Sequence, residues 1–197
     1  MNLALFDFDG TITTREMFPD FMHFAVTPGR LAVGRVVLMP LVVGYKLGVI
    51  TGNTIRSSVV RFGFRGVPVA QVEQAGERFA REVLPGVVRP MALERIQWHK
   101  AQGDVVVVVS AALDLYLAPW CGQHQLDLIC SKLEVEDGVL TGRYCGKQCA
   151  SQEKSRRVLE TYDVRDFSVV YAYGDTGEDM DMLSLASRKY FRWEEVT

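Results

Sequence analysis

Three short apolar runs punctuate the chain and share one design. Residues 2–6, NLALF, stop at Asp7; the run of valines that starts at Val105 stops at Ser110; residues 168–174, SVVYAYG, stop at Asp175. Each run is β-branched or aromatic in character and apolar at successive positions. A strand covered on both faces of a parallel sheet has that pattern, where a half-exposed strand would alternate. Each run also ends in a polar residue, and the carboxyl edge of an open α/β sheet is where ligands bind.

Helical patterns lie between the runs. Residues 85–103, PGVVRPMALERIQWHKAQG, predict a helix with Pro85 near its start and Gly103 as its stop signal. Residues 113–122, LDLYLAPWCG, predict a second helix, and 151–162, SQEKSRRVLETY, a short amphipathic one. Residues 176–187, TGEDMDMLSLAS, predict a helix that begins straight after the third run with acids in its first turn. Residues 132–144 predict a hairpin that turns at Asp137-Gly138. The alternation of strand and helix predicts an α/β fold around a parallel sheet.

Residues 15–83 break that alternation. They hold no convincing strand and read as helices punctuated by Pro28-Gly29, Pro40, Thr51-Gly52-Asn53, Gly63, Gly66 and Pro68. We expect an inserted helical cap there, with residues 1–14 and 84–197 forming the core around it. Charge separates the same two parts: the insert holds nine Lys and Arg against five Asp and Glu, the remainder thirteen against nineteen. From Phe21 to Val72 there is no acid at all, while Arg30, Arg35, Lys46, Arg56, Arg61 and Arg65 fall inside that stretch. The overall charge of −2 gives no pull towards nucleic acid, and no nucleic-acid partner is expected.

The most apolar stretch, Leu31 to Ile50, is interrupted by Arg35, Pro40 and Lys46, and its longest uncharged core, Val36 to Tyr45, has ten residues. A membrane span wants about 20. A helix pair that is buried or lies on a surface is expected instead. Four cysteines, Cys121, Cys130, Cys145 and Cys149, do not make a dense disulfide framework, and no cleavable leader pattern precedes the first apolar run. We expect a cytoplasmic protein with reduced thiols. Cys121, His124, Cys145 and Cys149 could donate to zinc, although their spacing matches no standard pattern.

The strand tips carry the candidate chemistry. Asp7 and Asp9 lie two apart on extended chain, so both side chains face one side while Phe8 faces the other. Two carboxylates so close raise each other's pKa unless a cation lies between them or one is protonated. That pairing suits a metal-bound nucleophile beside a general acid and base; the plainer alternative is that Asp9-Gly10 makes a turn. Ser110, with the N–H groups of Ala111 and Ala112, could hold an anionic oxygen, or Ser110 could cap a helix. Lys154 lies early in a helix, where the dipole does not favour a cation; it aims at a phosphate or is a surface lysine. Asp175 and Asp179, one helical turn apart, suit Mg²⁺, while acid enrichment at a helix start accounts for Glu178 and Asp181.

In order and spacing, DFDGT, VVVVVS, Lys154 in CASQEKSRRVL and GDTGED resemble the four motifs of the haloacid-dehalogenase-like phosphatases, in particular their phosphoserine-phosphatase-like branch. The resemblance runs the length of the chain and implies a Rossmann-like parallel sheet with a helical cap between the first and second motifs. It implies that Asp7 attacks phosphorus, that Asp9 protonates the leaving alcohol and then activates water, and that Ser110, Ala111 and Lys154 hold the phosphoryl oxygens while Thr11 fixes the loop around them. It implies Mg²⁺ at Asp7, Asp175 and the backbone carbonyl of Asp9, with Asp179 in support. Glu16, Arg56 and Arg61 are the candidates for reading the rest of the substrate. The second motif reads Ser-Ala-Ala where this branch carries glycines, and the chain after the fourth motif is short.

The resemblance implies a phosphomonoesterase for a small phosphorylated metabolite, phosphoserine being the best-known example. The apolar, basic cap also resembles the phosphatidylglycerophosphatase-related members, which implies a lipid phosphate and peripheral contact between the cap and an anionic membrane. Phosphotransferases and mutases share Asp7 and Asp9 and form the third alternative.

Overall fold

The computed structural model describes residues 1–196. Strand β1 (Leu3–Phe6) leads through a wide turn into helices α1 (Phe18–Ala25), α2 (Pro28–Val37), α3 (Met39–Lys46), α4 (Gly52–Phe64) and α5 (Val69–Glu82). The chain returns through α6 (Pro90–Ala101) to β2 (Val105–Leu113), α7 (Asp114–His124), β3 (Asp127–Ser131) and a hairpin of β4 (Leu133–Glu136) and β5 (Val139–Tyr144). Helix α8 (Gln152–Thr161), β6 (Val170–Gly174), the single turn α9 (Met180–Leu183), β7 (Arg188–Phe191) and β8 (Glu194–Val196) follow.

The sheet order is β3-β2-β1-β6-β7-β8, parallel throughout except for β8. The three apolar runs are therefore neighbours at its centre, with Phe6 in register with Val108 on one side and Tyr173 on the other. Connections leave β1 towards β2 and return beside it as β6, so the strand order reverses at β1, the place where such sheets bind ligands. Both faces are covered. Ala4, Phe6, Val106, Val108 and Tyr173 face one apolar core, and Leu3, Leu5, Val107, Val109 and Ala172 the other, which is why these runs are apolar at every position. Phe6, Tyr173 and Tyr190 stack across three adjacent strands with ring centroids 4.2 and 4.7 Å apart, just beneath the strand tips.

Several boundaries differ from the sequence expectation. The helix expected from Pro85 starts at Pro90; Pro85 sits in a 3₁₀ turn, Leu84–Gly86. Pro90 takes the first helical position, where a missing N–H costs nothing. Strand β2 runs through Ser110 to Leu113, with a register shift against β3 between those residues. The helix expected over 176–187 is a 3₁₀ turn, Gly177–Asp179, followed by one α turn. Strands β7 and β8 carry no long apolar run, and β3 has only Leu128-Ile129-Cys130. The hairpin turns at Asp137 and Gly138 with φ of 49° and 75°, the left-handed pair that matches strand twist.

The inner part of the helical insert shares the main core. Phe21, Phe64 and Phe79 pack with Tyr116 of α7. A Cβ at Gly76 would lie 1.9 Å from the Leu115 carbonyl oxygen, so α5 touches the start of α7 backbone to backbone. On the other flank the β4–β5 hairpin is fastened to the insert: Gly66 N–H donates to the Leu140 carbonyl and Leu140 N–H to the Val67 carbonyl, both at 2.9 Å. The outer part differs. α3 buries none of its residues, and α2 buries only Gly34. All four cysteines are free thiols, and among the described residues the conceivable zinc grouping does not come together. No described helix is long and apolar enough to cross a membrane.

Candidate active site

The turn after β1 sets the geometry. Asp7 N–H donates to the Tyr173 carbonyl at 2.9 Å, which still belongs to the sheet. The chain then folds into a wide turn closed by Thr13 N–H on the Phe8 carbonyl, with Gly10 at φ 85°. A side chain at Gly10 would be strained by that φ, and its Cβ would lie 2.3 Å from Asp175 Oδ2. Glycine is thus needed twice, for the turn and for the approach of two strand tips. Phe8 turns into the core, edge-on to Trp120 at 5.1 Å, while Asp7 and Asp9 face a cavity. The Asp9-Gly10 turn and the paired carboxylates are one feature rather than alternatives. Thr11 Oγ1 donates to Asp175 Oδ1 at 3.2 Å, so this hydroxyl ties the β1 and β6 tips together.

Lys154 is no surface residue. It is buried, and its Nζ donates to Asp7 Oδ1 and Asp179 Oδ1, each at 2.6 Å. The other Asp179 oxygen accepts from the N–H groups of Asp175 and Thr176 and from Thr176 Oγ1, at 3.0–3.1 Å. Asp179 therefore orders both the lysine and the loop after β6. Carboxylate oxygens of Asp7, Asp175 and Asp179 all lie within 4.8 Å of one another. Burial pushes Asp7 up to about 8, the Asp179 charge adding to it and Lys154 opposing. Burial pushes Asp9 up to about 7; the Met17 N–H, 2.9 Å from its Oδ1, opposes this, and the Glu16 charge adds to it. Burial would lower Lys154, but the charges of Asp7 and Asp179 outweigh it and hold the ammonium above its ordinary range.

Three carboxylates around one ammonium leave net negative charge in a buried place. The donors are all oxygen, which fits a hard dication that keeps several waters and takes one or two carboxylates. Asp7 and Asp175 would hold Mg²⁺, with the Asp9 backbone carbonyl on the same turn. Both oxygens of Asp179 are already engaged, which suits a supporting place.

A cavity of about 830 Å³ lies between these carboxylates and the helical insert. Ser110, Ala111 and Ala112 line its floor. Ser110 is buried and its Oγ accepts from Ala112 N–H at 3.2 Å; it caps no helix, since α7 starts beyond Leu113. Glu16 is exposed at the cavity wall. Arg56 also reaches the cavity, but its guanidinium donates to Gln148 Oε1 at 2.9 Å, Asn53 Oδ1 at 2.9 Å and the Glu178 carboxylate at 3.3 Å. It clasps α4 to the loop after β6. Arg61 is not brought to the cavity: it lines a separate groove of about 970 Å³ with Tyr144, Gln148 and Arg156.

The structure adds residues that sequence reasoning did not single out. Arg89 donates to the carbonyls of Thr13 at 3.1 Å and Gly10 at 3.3 Å, holding the β1 turn from below α6. Trp193 Nε1 donates to the Thr11 carbonyl at 3.2 Å, and Arg192 Nε to the Asp175 carbonyl at 3.1 Å. The short chain after the fourth motif thus returns to brace both strand tips. Arg192 and Trp193 make a left-handed turn with φ of 53° and 70°, in residue types that carry no turn signal.

Asp7 and Lys154 are buried together at this strand edge and face a helical insert. The chain is 33% identical over 196 residues to protein CicA of Caulobacter vibrioides, covering 96% of this chain and 85% of that one. A solved structure of a Bordetella pertussis protein of unknown function superposes with a TM-score of 0.82 at 24% identity, over 96% of this chain and 89% of the other. A phosphoserine phosphatase solved as a phospho-aspartyl intermediate analogue shares the fold with a TM-score of 0.67 at 24% identity, over 96% of this chain and 85% of that one. The family model for haloacid dehalogenase-like hydrolases matches residues 4–184, and the chain belongs to that family.

Proposed function

We propose that this protein is a Mg²⁺-dependent phosphomonoesterase that works through a phosphoaspartate at Asp7. One observation carries the reading: Lys154 Nζ bridges Asp7 and Asp179 at 2.6 Å in a buried pocket, with Asp9 beside them on the same turn. An Asp7 oxygen attacks phosphorus, and the bond from phosphorus to the alcohol oxygen breaks. Asp9, protonated in part near neutrality, gives that oxygen its proton. Asp9 then takes a proton from water, which attacks the same phosphorus and releases phosphate and the Asp7 carboxylate. Two displacements replace one hard one. Lys154, Ser110 and the Ala111 N–H hold the phosphoryl oxygens as charge develops. Bound Mg²⁺ would offset phosphoryl charge and keep Asp7 ionised.

Asp7→Asn tests this. Hydrolysis of p-nitrophenyl phosphate with Mg²⁺ falls by about 10³-fold or more in the variant, and chelation removes it in the wild type. Wild-type protein inactive with Mg²⁺ on a broad phosphomonoester panel overturns the proposal. Release of the alcohol without matching free phosphate, the phosphoryl group appearing on an added organic acceptor, points to transfer instead.

A small soluble phosphomonoester such as phosphoserine is the first substrate class. The cavity lining favours a second. Beside Arg30 and Arg35, the insert contributes Met22, Val26, Leu31, Leu38, Val42 and Ile55 to it, and Arg56 is already engaged. Such a wall suits a phosphomonoester whose alcohol carries an apolar group, including a lipid phosphate. The kcat/KM ratio between an alkyl phosphate series and phosphoserine decides between them.

A further inference from the structure

Helices α2 and α3 and the turn that follows α3 place apolar side chains where water would be. Val36, Leu47 and Val49 are 72%, 73% and 80% exposed, and Val33, Val37 and Met39 are each more than half exposed. The two helices meet at Leu38 without a loop between them, so these residues belong to one uninterrupted stretch. Runs of exposed apolar residues on this scale mark interaction sites rather than ordinary surface. Leu31, Gly34, Arg35 and Leu38, with the partly exposed Val42 and Tyr45, line the cavity that reaches Asp7 and Lys154. Val33, Val36, Val37, Met39, Leu47 and Val49 belong neither to that lining nor to the core.

Charge says what covers them. Arg35 and Lys46 are exposed within the same stretch, and no acid occurs between Phe21 and Val72. A second copy of the chain paired face to face would set cation against cation with no acid in the patch to answer them. An anionic bilayer meets both features, with a negative surface for the cations and an apolar layer beneath it. Neither helix is long enough to cross that layer.

We propose that α2 and α3 lie in the headgroup region of an anionic bilayer, with Val36, Leu47 and Val49 entering the apolar layer and Arg35 and Lys46 at the lipid phosphates. Docking this way places the cavity wall that these helices help to form next to the membrane. The inference goes beyond the phosphatase chemistry and does not depend on it, because none of these outward residues touches the carboxylate cluster.

The test is co-sedimentation of the full chain with vesicles of phosphatidylcholine, with and without phosphatidylglycerol. Wild type and Asp7→Asn pellet alike with phosphatidylglycerol vesicles, and added salt weakens the binding. Val36→Asp combined with Leu47→Asp lowers the partition coefficient about tenfold or more. Because both side chains are exposed, the double variant keeps the wild-type melting temperature and p-nitrophenyl phosphate hydrolysis, which shows that folding is intact. Wild type that stays in the supernatant overturns the proposal, as does equal pelleting of the double variant or equal binding to pure phosphatidylcholine. A wild-type dimer that these two substitutions dissociate without vesicles assigns the face to a second copy and also overturns it. Absent hydrolysis with retained pelleting breaks the phosphatase proposal and leaves this one standing.

Discussion

The carboxylate cluster and the outer cap helices depart from the usual partition of side chains in opposite directions. Asp7, Lys154 and Asp179 are charges with almost no exposure, while Val36, Leu47 and Val49 are apolar with little cover. The first region is answered from within: Lys154 joins Asp7 to Asp179, and Asp179 also holds the loop after β6. The second is left uncovered by the described residues. A buried ion cluster is tolerated when its members satisfy one another, and breaking one link leaves an uncompensated charge. An exposed apolar face costs nothing comparable in the isolated chain, and so is sensitive to what it meets rather than to its own residues. One region should therefore fail from the inside when altered, and the other only towards a partner.

The strongest way to break that contrast is to remove the lysine. Lys154→Met leaves Asp7 and Asp179 buried without their shared cation. We expect a loss of about 3–5 kcal/mol in stability by urea titration, together with loss of hydrolysis. Stability unchanged by this variant would mean that water already reaches the cluster. Asp7→Asn works the other way. Burial raises Asp7 to about 8, above its unfolded value near 3.8, so its contribution is fully present below the unfolded value and is lost as pH rises towards 8. Without metal, wild type should lose stability between pH 4 and pH 8 by more than Asp7→Asn does. Added Mg²⁺ should reduce that loss in the wild type and leave the variant unmoved, read as melting temperature against pH.

How much of this was legible in the chain follows from the kind of interaction involved. Strands β1, β2 and β6 were readable because burial on both faces leaves continuous apolar runs, and their tips were readable because Asp7, Ser110 and Asp175 end those runs. Strands β7 and β8 were not, because Arg188, Lys189, Glu194 and Glu195 on the sheet edge look like loop. Arg89 and Trp193 act on the β1 turn across 76 and 182 residues, and nothing local announces such bonds. Arg56 and Arg61 were equal candidates in sequence, yet five residues on one helix place them about 140° apart, so only one can face a given cavity. Glu178, which helix-start acidity explains well enough, turned out to hold Arg56. The two prolines at 85 and 90 are equally good helix starts by residue type alone; packing selects the second.

A finer change tests whether the inner region tunes Asp9 as well as burying it. Glu16 is exposed, but its charge raises the pKa of Asp9, which lies at about 7. In the proposed mechanism leaving-group protonation needs Asp9 protonated, so that step falls as pH rises through this value. Glu16→Gln removes the negative charge, lowers the Asp9 pKa and should move the alkaline fall of kcat to lower pH by less than about one unit, since exposed charges are screened by water. The acid limb should stay in place. An unmoved alkaline limb would mean that burial alone sets Asp9.

The smallest expected effect is the one that completes the contrast. Leu47 is 73% exposed and α3 buries nothing, so Leu47→Ser should change stability in the absence of membrane by no more than about 0.5 kcal/mol. Phe79 of the same insert is fully buried against Phe21 and Tyr116, and Phe79→Ala should cost about 3–5 kcal/mol. The pair measures, within one helical insert, how sharply its inner and outer parts divide. If Leu47→Ser destabilised the isolated chain by even half as much as Phe79→Ala, the outer helices would have to be packed against something within the chain. Their apolar surface would then be core, with no partner left to explain.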